Sequence, residues 1–252
     1  MRPKQSFAQA VKEAFRKGYQ AGRQSLPAML AIEAVMALVV GSYYLCPPVA
    51  AALSRLADWQ HAGGVLAAAC ASAFAGGILS EISAVYFLDG GRWTRAHLDN
   101  AAFKAALFFV TGAIVYEFYY YQSVWFGNGA AWSIILPKII VDQCGYTPFF
   151  SVPFQTVVIR WHHVGYSFRR LGPELNRDLV TGKMLPVLVT NWMFWVPGVT
   201  FIYSMPQNLQ MPLAILANAI WSILLSAAAR PSAALAPDQL VMPGPGAAPQ
   251  SE

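Results

Sequence analysis

A chain of 252 residues in which 56% of the side chains are hydrophobic and only 12% charged lacks the polar coat of a soluble domain, where about a quarter of residues are charged. The net charge of +5, from 17 Lys and Arg against 12 Asp and Glu, flanks apolar runs rather than forming a basic patch with interleaved aromatics, which excludes nucleic acid as the expected partner. With a mean hydropathy of +0.43 and 46 consecutive residues, Met184 to Ala229, free of Asp, Glu, Lys, Arg and His, the chain is predicted to be an all-α, polytopic transmembrane bundle, because about 20 apolar residues cross a bilayer as a helix.

Residues 1–25 are basic, with Phe7, Val11, Phe15 and Tyr19 at four-residue spacing. That stripe predicts a short amphipathic segment for an anionic membrane surface or an organelle address, with a flexible basic tail as the alternative. Residues 26–229 read as the transmembrane domain, with about six membrane-embedded segments. The first runs from Pro27, placed in a first helical turn, to Leu45, where Cys46, Pro47 and Pro48 end it. The second, Gly64 to Leu88, carries Gly76 and Gly77, small residues that let lipid-embedded helices approach. Asp89, Gly90 and Gly91 form a turn, and a third segment runs from Ala101 to Tyr121.

Between Ala131 and Trp161, Pro137, Pro148 and Pro153 predict a segment broken near Gly145 to Pro148, or a half-helix followed by a spanning one. After a basic connector from Arg160 to Lys183, two more segments are expected at Met184–Tyr203 and Pro212–Ala229, joined by an interfacial turn over Met205–Met211. Residues 230–252, rich in Pro, Ala and Gly, read as a disordered tail. Six crossings gather the basic N-terminus and the two basic connectors on one side, so both termini should face the more negative compartment.

Glu33, Glu81, Lys104, Glu117, Lys138 and Asp142 fall within or at the ends of these apolar segments. An ionisable group in lipid costs roughly 2.5–3.5 kcal/mol on insertion scales, so such groups face the interior, a wet path or one another. Lys138 and Asp142, four apart, would share a helix face, either as a neutralised packing pair or as a polar constriction. Glu81 is open between pore-facing and interhelical roles, Glu117 is a conceivable partner for Lys138, and Lys104 is expected to snorkel. Gln143 can bridge helices without charge. Cys46, Cys70 and Cys144 read as buried thiols, and His162 and His163 as interfacial loop residues. No metal site, cofactor or nucleophile–base–acid set is expected, so the chain is not read as an enzyme.

At Lys138, Asp142, Gln143 and Pro148 the sequence resembles the Lys-x3-Asp-Gln-x4-Pro element of the Mpv17/PMP22 family of organelle membrane proteins. Gly76 to Glu81 resembles the family's Gly-Asp-x3-Gln element, with Gly77 for Asp and Glu81 for Gln. Asp89, Arg92 and Arg95 match its basic connector. Gly112, Ala113, Tyr116, Phe118 and Tyr119 sit where it has Gly-Pro-x2-His-x-Trp-Tyr. Trp192, Trp195, Pro197, Pro206, Trp221, Leu225 and Ser226 follow its C-terminal pattern, with Val196 inserted and Gln210 for the usual Arg.

The resemblance covers roughly residues 76 to 226. It implies a channel-like role for small polar or ionic solutes, or an influence on membrane permeability and organelle maintenance; a non-conducting scaffold is the alternative. It implies a mitochondrial inner, peroxisomal or plastid membrane, and the basic N-terminal stripe leans towards the mitochondrion. Pore or polar-network candidates are Glu81, Lys138, Asp142, Gln143 and Glu117. Helix-packing candidates are Gly76, Gly77, Gly112, Pro148, Trp195, Pro197, Pro206 and Trp221. Lipids are the expected partners, and self-association is left open.

Overall fold

A computed structural model describes residues 6–228; the expected tail over residues 230–252, with Arg2 and Lys4, lies outside them. Among the described residues the chain is helical, in six long runs joined by short connections. These are α1 (Phe7–Leu45), α2 (Pro47–Leu88), α3 (Arg95–Phe126), α4 (residues 132–163), α5 (Arg177–Tyr203) and α6 (Gln207–Ala228). Four of them, α1, α2, α3 and α5, are long and apolar enough to cross a membrane.

Local chemistry sets the helix ends. Ser6 accepts from the Gln9 amide at 3.3 Å while the Gln9 side chain accepts from the Ser6 amide at 3.1 Å, a reciprocal cap that satisfies two orphan donors. From that cap α1 continues for 39 residues, about 58 Å at 1.5 Å per residue. The basic stripe and the first apolar segment are therefore one rod, and Pro27 lies inside it instead of in a first turn. Cys46 ends α1, and Pro47 opens α2, where a missing donor is harmless. Within α2 the axis bends at Gly64, whose φ of 57° and ψ of −147° only glycine adopts readily.

The proline-rich stretch differs from the expected break. Val141–Ser151 forms 11 residues of π-helix through Pro148, continuous with α-helix on both sides. The wider winding accommodates a residue with no amide donor without interrupting the rod. At the other end of the bundle, the turn before α6 is shorter than Met205–Met211. Helix begins at Gln207, and Met205, Leu209 and Met211 are buried.

Successive helices alternate in direction. Ser72 meets Gly112 and Glu81 meets Lys104, so α2 and α3 are antiparallel; Phe103 stacks on His162 and Phe118 on Tyr146, so α3 and α4 are too. By contrast α1 and α5 run parallel. Gly18 lies against Pro186 and Val189, Gly22 against Met193, and the Tyr44 hydroxyl donates to the Ser204 carbonyl at 2.6 Å. Small residues therefore set the close approaches at both interfaces.

The core gathers Met29, Ile32 and Met36 of α1 with Phe194, Ile202, Tyr203 and the α6 residues Leu209 and Leu213. Outward faces are apolar, with Leu38 69% and Phe149 82% exposed, as a lipid-facing surface requires. Cys46, Cys70 and Cys144 are exposed as well. The expectation of buried thiols fails because in an apolar medium the outer face accepts a thiol as readily as the core does.

A side chain at Gly77 would place its Cβ 2.5 Å from the Ala105 backbone, whereas nothing lies within 4 Å of one at Gly41. Gly77→Val should lower stability by about 1–3 kcal/mol, the usual range for overpacking, and Gly41→Val should leave it nearly unchanged. Thermal unfolding in detergent checks both.

Candidate functional site

The π-helical stretch of α4 carries Asp142 and Gln143 into the bundle. The Tyr203 hydroxyl donates to Asp142 Oδ2 at 2.6 Å, and Thr147 Oγ1 donates to Oδ1 at 3.2 Å. Gln122 Nε2 of α3 donates to Tyr203 Oη at 3.0 Å, so one hydroxyl ties α3, α4 and α5 together. Trp192 Nε1 donates to the Gln143 carbonyl at 2.7 Å, fixing α5 against the same stretch.

Lys138 does not pair with Asp142; among the described residues no ion pair joins them. Its ammonium is fully buried, donates to Ser123 Oγ at 3.4 Å and lies 5.8 Å from the centroid of the Tyr203 ring. The two remain on one side of the helix, but each is taken by a different neighbour, Lys138 by Ser123 of α3 and Asp142 by Tyr203 of α5.

Beside Asp142 is a cavity of about 260 Å³, open on part of its boundary and lined by α2, α3, α4, α5 and α6. Its polar lining includes Thr111, Asp142, Gln143, Gln155, Asn191 and Asn218; its aromatic lining includes Phe118, Tyr146, Trp195 and Trp221. A second cavity of about 180 Å³, lined by Gln60, His61, Tyr120, Gln207 and Asn208 among others, lies towards the α1–α2 and α5–α6 connections. Tyr119 and Met211 line both, so the two cavities adjoin at these buried side chains.

Glu81 belongs elsewhere. Oε2 accepts from Lys104 Nζ at 2.6 Å, Oε1 is 3.0 Å from His97 Nδ1 and accepts from Asn100 at 3.5 Å. The Glu81 carboxylate closes an α2–α3 ion cluster at the end of the bundle where those helices join, away from the Asp142 cavity. Lys104 turns inward to it rather than snorkelling. Glu117 faces outward, exposed, and does not meet Lys138.

The packing candidates divide by environment. Gly76 lies against Phe108, Gly77 against Ala105 and Gly112 against Ser72. Trp195 and Trp221 line the large cavity, with Trp221 stacked on Phe194 at 4.3 Å. Pro148 lies in the π stretch and Pro197 inside α5, while the Pro206 carbonyl accepts from the Leu209 amide as α6 begins.

Tyr203, Gln122 and Tyr119 were not among the sequence candidates, nor were His97 and Asn100. A tyrosine at the end of an apolar run is itself a signal, because its hydroxyl needs a partner when buried. His162 is the last-turn residue of α4, not a loop residue; it stacks on Phe103 at 4.0 Å and lies 3.0 Å from Asp99 Oδ2. The Glu33 carboxylate packs over Gly198 with no hydrogen-bond partner among the described residues. No group of three or more His, Cys, Asp or Glu among them has metal-holding geometry. No known family model, curated protein or solved structure matches the chain.

Lys104→Met leaves the Glu81 carboxylate buried without its ammonium and should cost about 3–5 kcal/mol. Adding Glu81→Gln should recover most of that loss. Tyr203→Phe should cost about 1–3 kcal/mol by leaving Asp142 and Gln122 short of a partner. Melting curves of the purified variants in detergent check all three.

Proposed function

We propose that this chain is a channel-like protein passing small polar or ionic solutes across an organelle membrane, with α4 and α6 completing six crossings. The observation that carries this reading is a pair of cavities that share Tyr119 and Met211 in their linings, the larger of them with Asp142, Gln143, Asn191 and Asn218 in its wall. Unsatisfied polar groups are costly in a bilayer, and here Asp142, Gln143, Asn191 and Asn218 are gathered around one cavity of about 260 Å³. The larger cavity holds Asp142 as its charged group, and the smaller one lies towards the opposite end from the Glu81 cluster. Movement of Tyr119 and Met211 would join them, a hydrophobic constriction of the kind that gates by excluding water.

The alternating helix directions support six crossings with both termini on the side that carries the basic connectors. The resemblance at Lys138, Asp142, Gln143 and Pro148 supports membership of the Mpv17/PMP22 family and, with it, an organelle membrane. The basic stripe on α1 favours the mitochondrial inner membrane over a peroxisomal or plastid one. A non-conducting scaffold acting through partners or lipids is the second reading. It is favoured by the sealed contact of Lys138 with Ser123 and Tyr203.

Purified protein in planar bilayers separates the two. Wild type should give discrete currents, Asp142→Asn should reduce preference for cations, and Tyr119→Ala should raise open probability. Lys138→Met, removing a group that does not line either cavity, should leave ion selectivity unchanged. Silence from folded wild type and from Tyr119→Ala, across voltage, would support the scaffold.

A further inference from the structure

The large cavity has a one-sided chemistry. Asp142 brings a carboxylate, and no Lys, Arg or His is among the residues lining it. The nearby ammonium of Lys138 is turned to Ser123, behind Tyr203. Gln143 is 4% exposed, lines the same cavity, and its Oε1 is buried with no donor. The site therefore carries a carboxylate with no cationic side chain in its lining, and one buried acceptor that has no donor.

The remaining wall supplies aromatic faces. Phe118 and Tyr146 stack at 4.4 Å between centroids on one side, and Trp221, backed by Phe194, lies with Trp195 on another. Aromatic faces attract cations through the ring quadrupole, and they favour weakly hydrated organic ammonium groups over strongly hydrated metal ions. At about 260 Å³ the space is below the roughly 300–1,000 Å³ of drug-sized pockets, so the occupant is small.

We propose that this cavity is a binding site for a small organic cation, an alkylammonium or quaternary ammonium, held by the Asp142 carboxylate and the surrounding aromatic faces. Rotation of the Gln143 amide would bring Oε1, an acceptor without a donor, to an N–H of a primary ammonium. This assignment names a solute class for the channel proposed above and rests on the same cavity, but binding does not require conduction.

The test is a titration of the full chain in detergent, reading tryptophan fluorescence, since Trp195 and Trp221 line the site. Ethylammonium chloride and tetramethylammonium chloride should each give a saturable change, and potassium chloride and sodium acetate at equal ionic strength should not. Asp142→Asn should weaken binding about tenfold or more, and Tyr146→Leu, which keeps the carboxylate, should weaken it several-fold. Absence of saturation, an equal response to potassium, or unchanged affinity in folded Asp142→Asn and Tyr146→Leu would overturn the site. Vesicle flux run in parallel keeps the two readings apart. Ammonium binding without flux supports the site and sinks the channel alone, whereas potassium flux without ammonium binding overturns the site alone.

Discussion

Hydrocarbon offers no water to a buried carboxylate, which puts a premium on partners from within the protein. The Tyr203 hydroxyl bonded to Asp142 at 2.6 Å, and accepting from Gln122 at 3.0 Å, meets that demand across three helices at once. Asp142 positions the π-helical stretch, and Gln122 aligns α3 with it. Trp192 then holds α5 to the Gln143 carbonyl. The large cavity is what remains between helices whose spacing these bonds dictate. Filling it with aliphatic side chains would bring the helices no closer, because the hydroxyl and carboxylate already fix their separation.

Glu81 and Asp142 are handled differently within the bundle. Glu81 is satisfied fully, by Lys104, His97 and Asn100, and the cluster locks α2 to α3 near their shared turn. Asp142 is bonded by neutral hydroxyls, and Lys138 donates to Ser123 instead of to it. A neutral first partner leaves the negative charge uncancelled where it faces the cavity. Stability thus comes mostly from the first arrangement, and electrostatic character from the second.

Much of the fold was legible from hydropathy and proline placement: the helix end at Leu45, the glycine-rich contact of α2, and the turn at Asp89 to Gly91 follow from local rules. The parallel contact of α1 with α5 was not, because Gly18 and Gly22 lie in a stretch whose charges made it look separate from the membrane domain. Asp142 and Gln143 stood out as polar residues in an apolar run. Their relation to Lys138 did not, since a shared helix face does not reveal that Ser123 and Tyr203, on other helices, take the two groups separately. Glu81 and Asp142 were read as one path because sequence gives depth but not azimuth around a bundle. Two carboxylates in apolar helices can face different neighbours, and here they do.

The pairing of α1 with α5 has a consequence for biogenesis. Thr190 donates to the Gly18 carbonyl across a separation of 172 residues, so the first helix made waits for nearly the last before its glycine notch is filled. At 5–20 residues per second, that interval is roughly ten to thirty seconds of synthesis. Throughout it α1 carries Glu33, whose eventual cover, Gly198, is not yet translated. Until α5 is made, both the glycine notch and the Glu33 side of α1 lack the neighbour that covers them in the finished fold. Assembly order is in this way written into a contact that looks, in the finished protein, like ordinary helix packing.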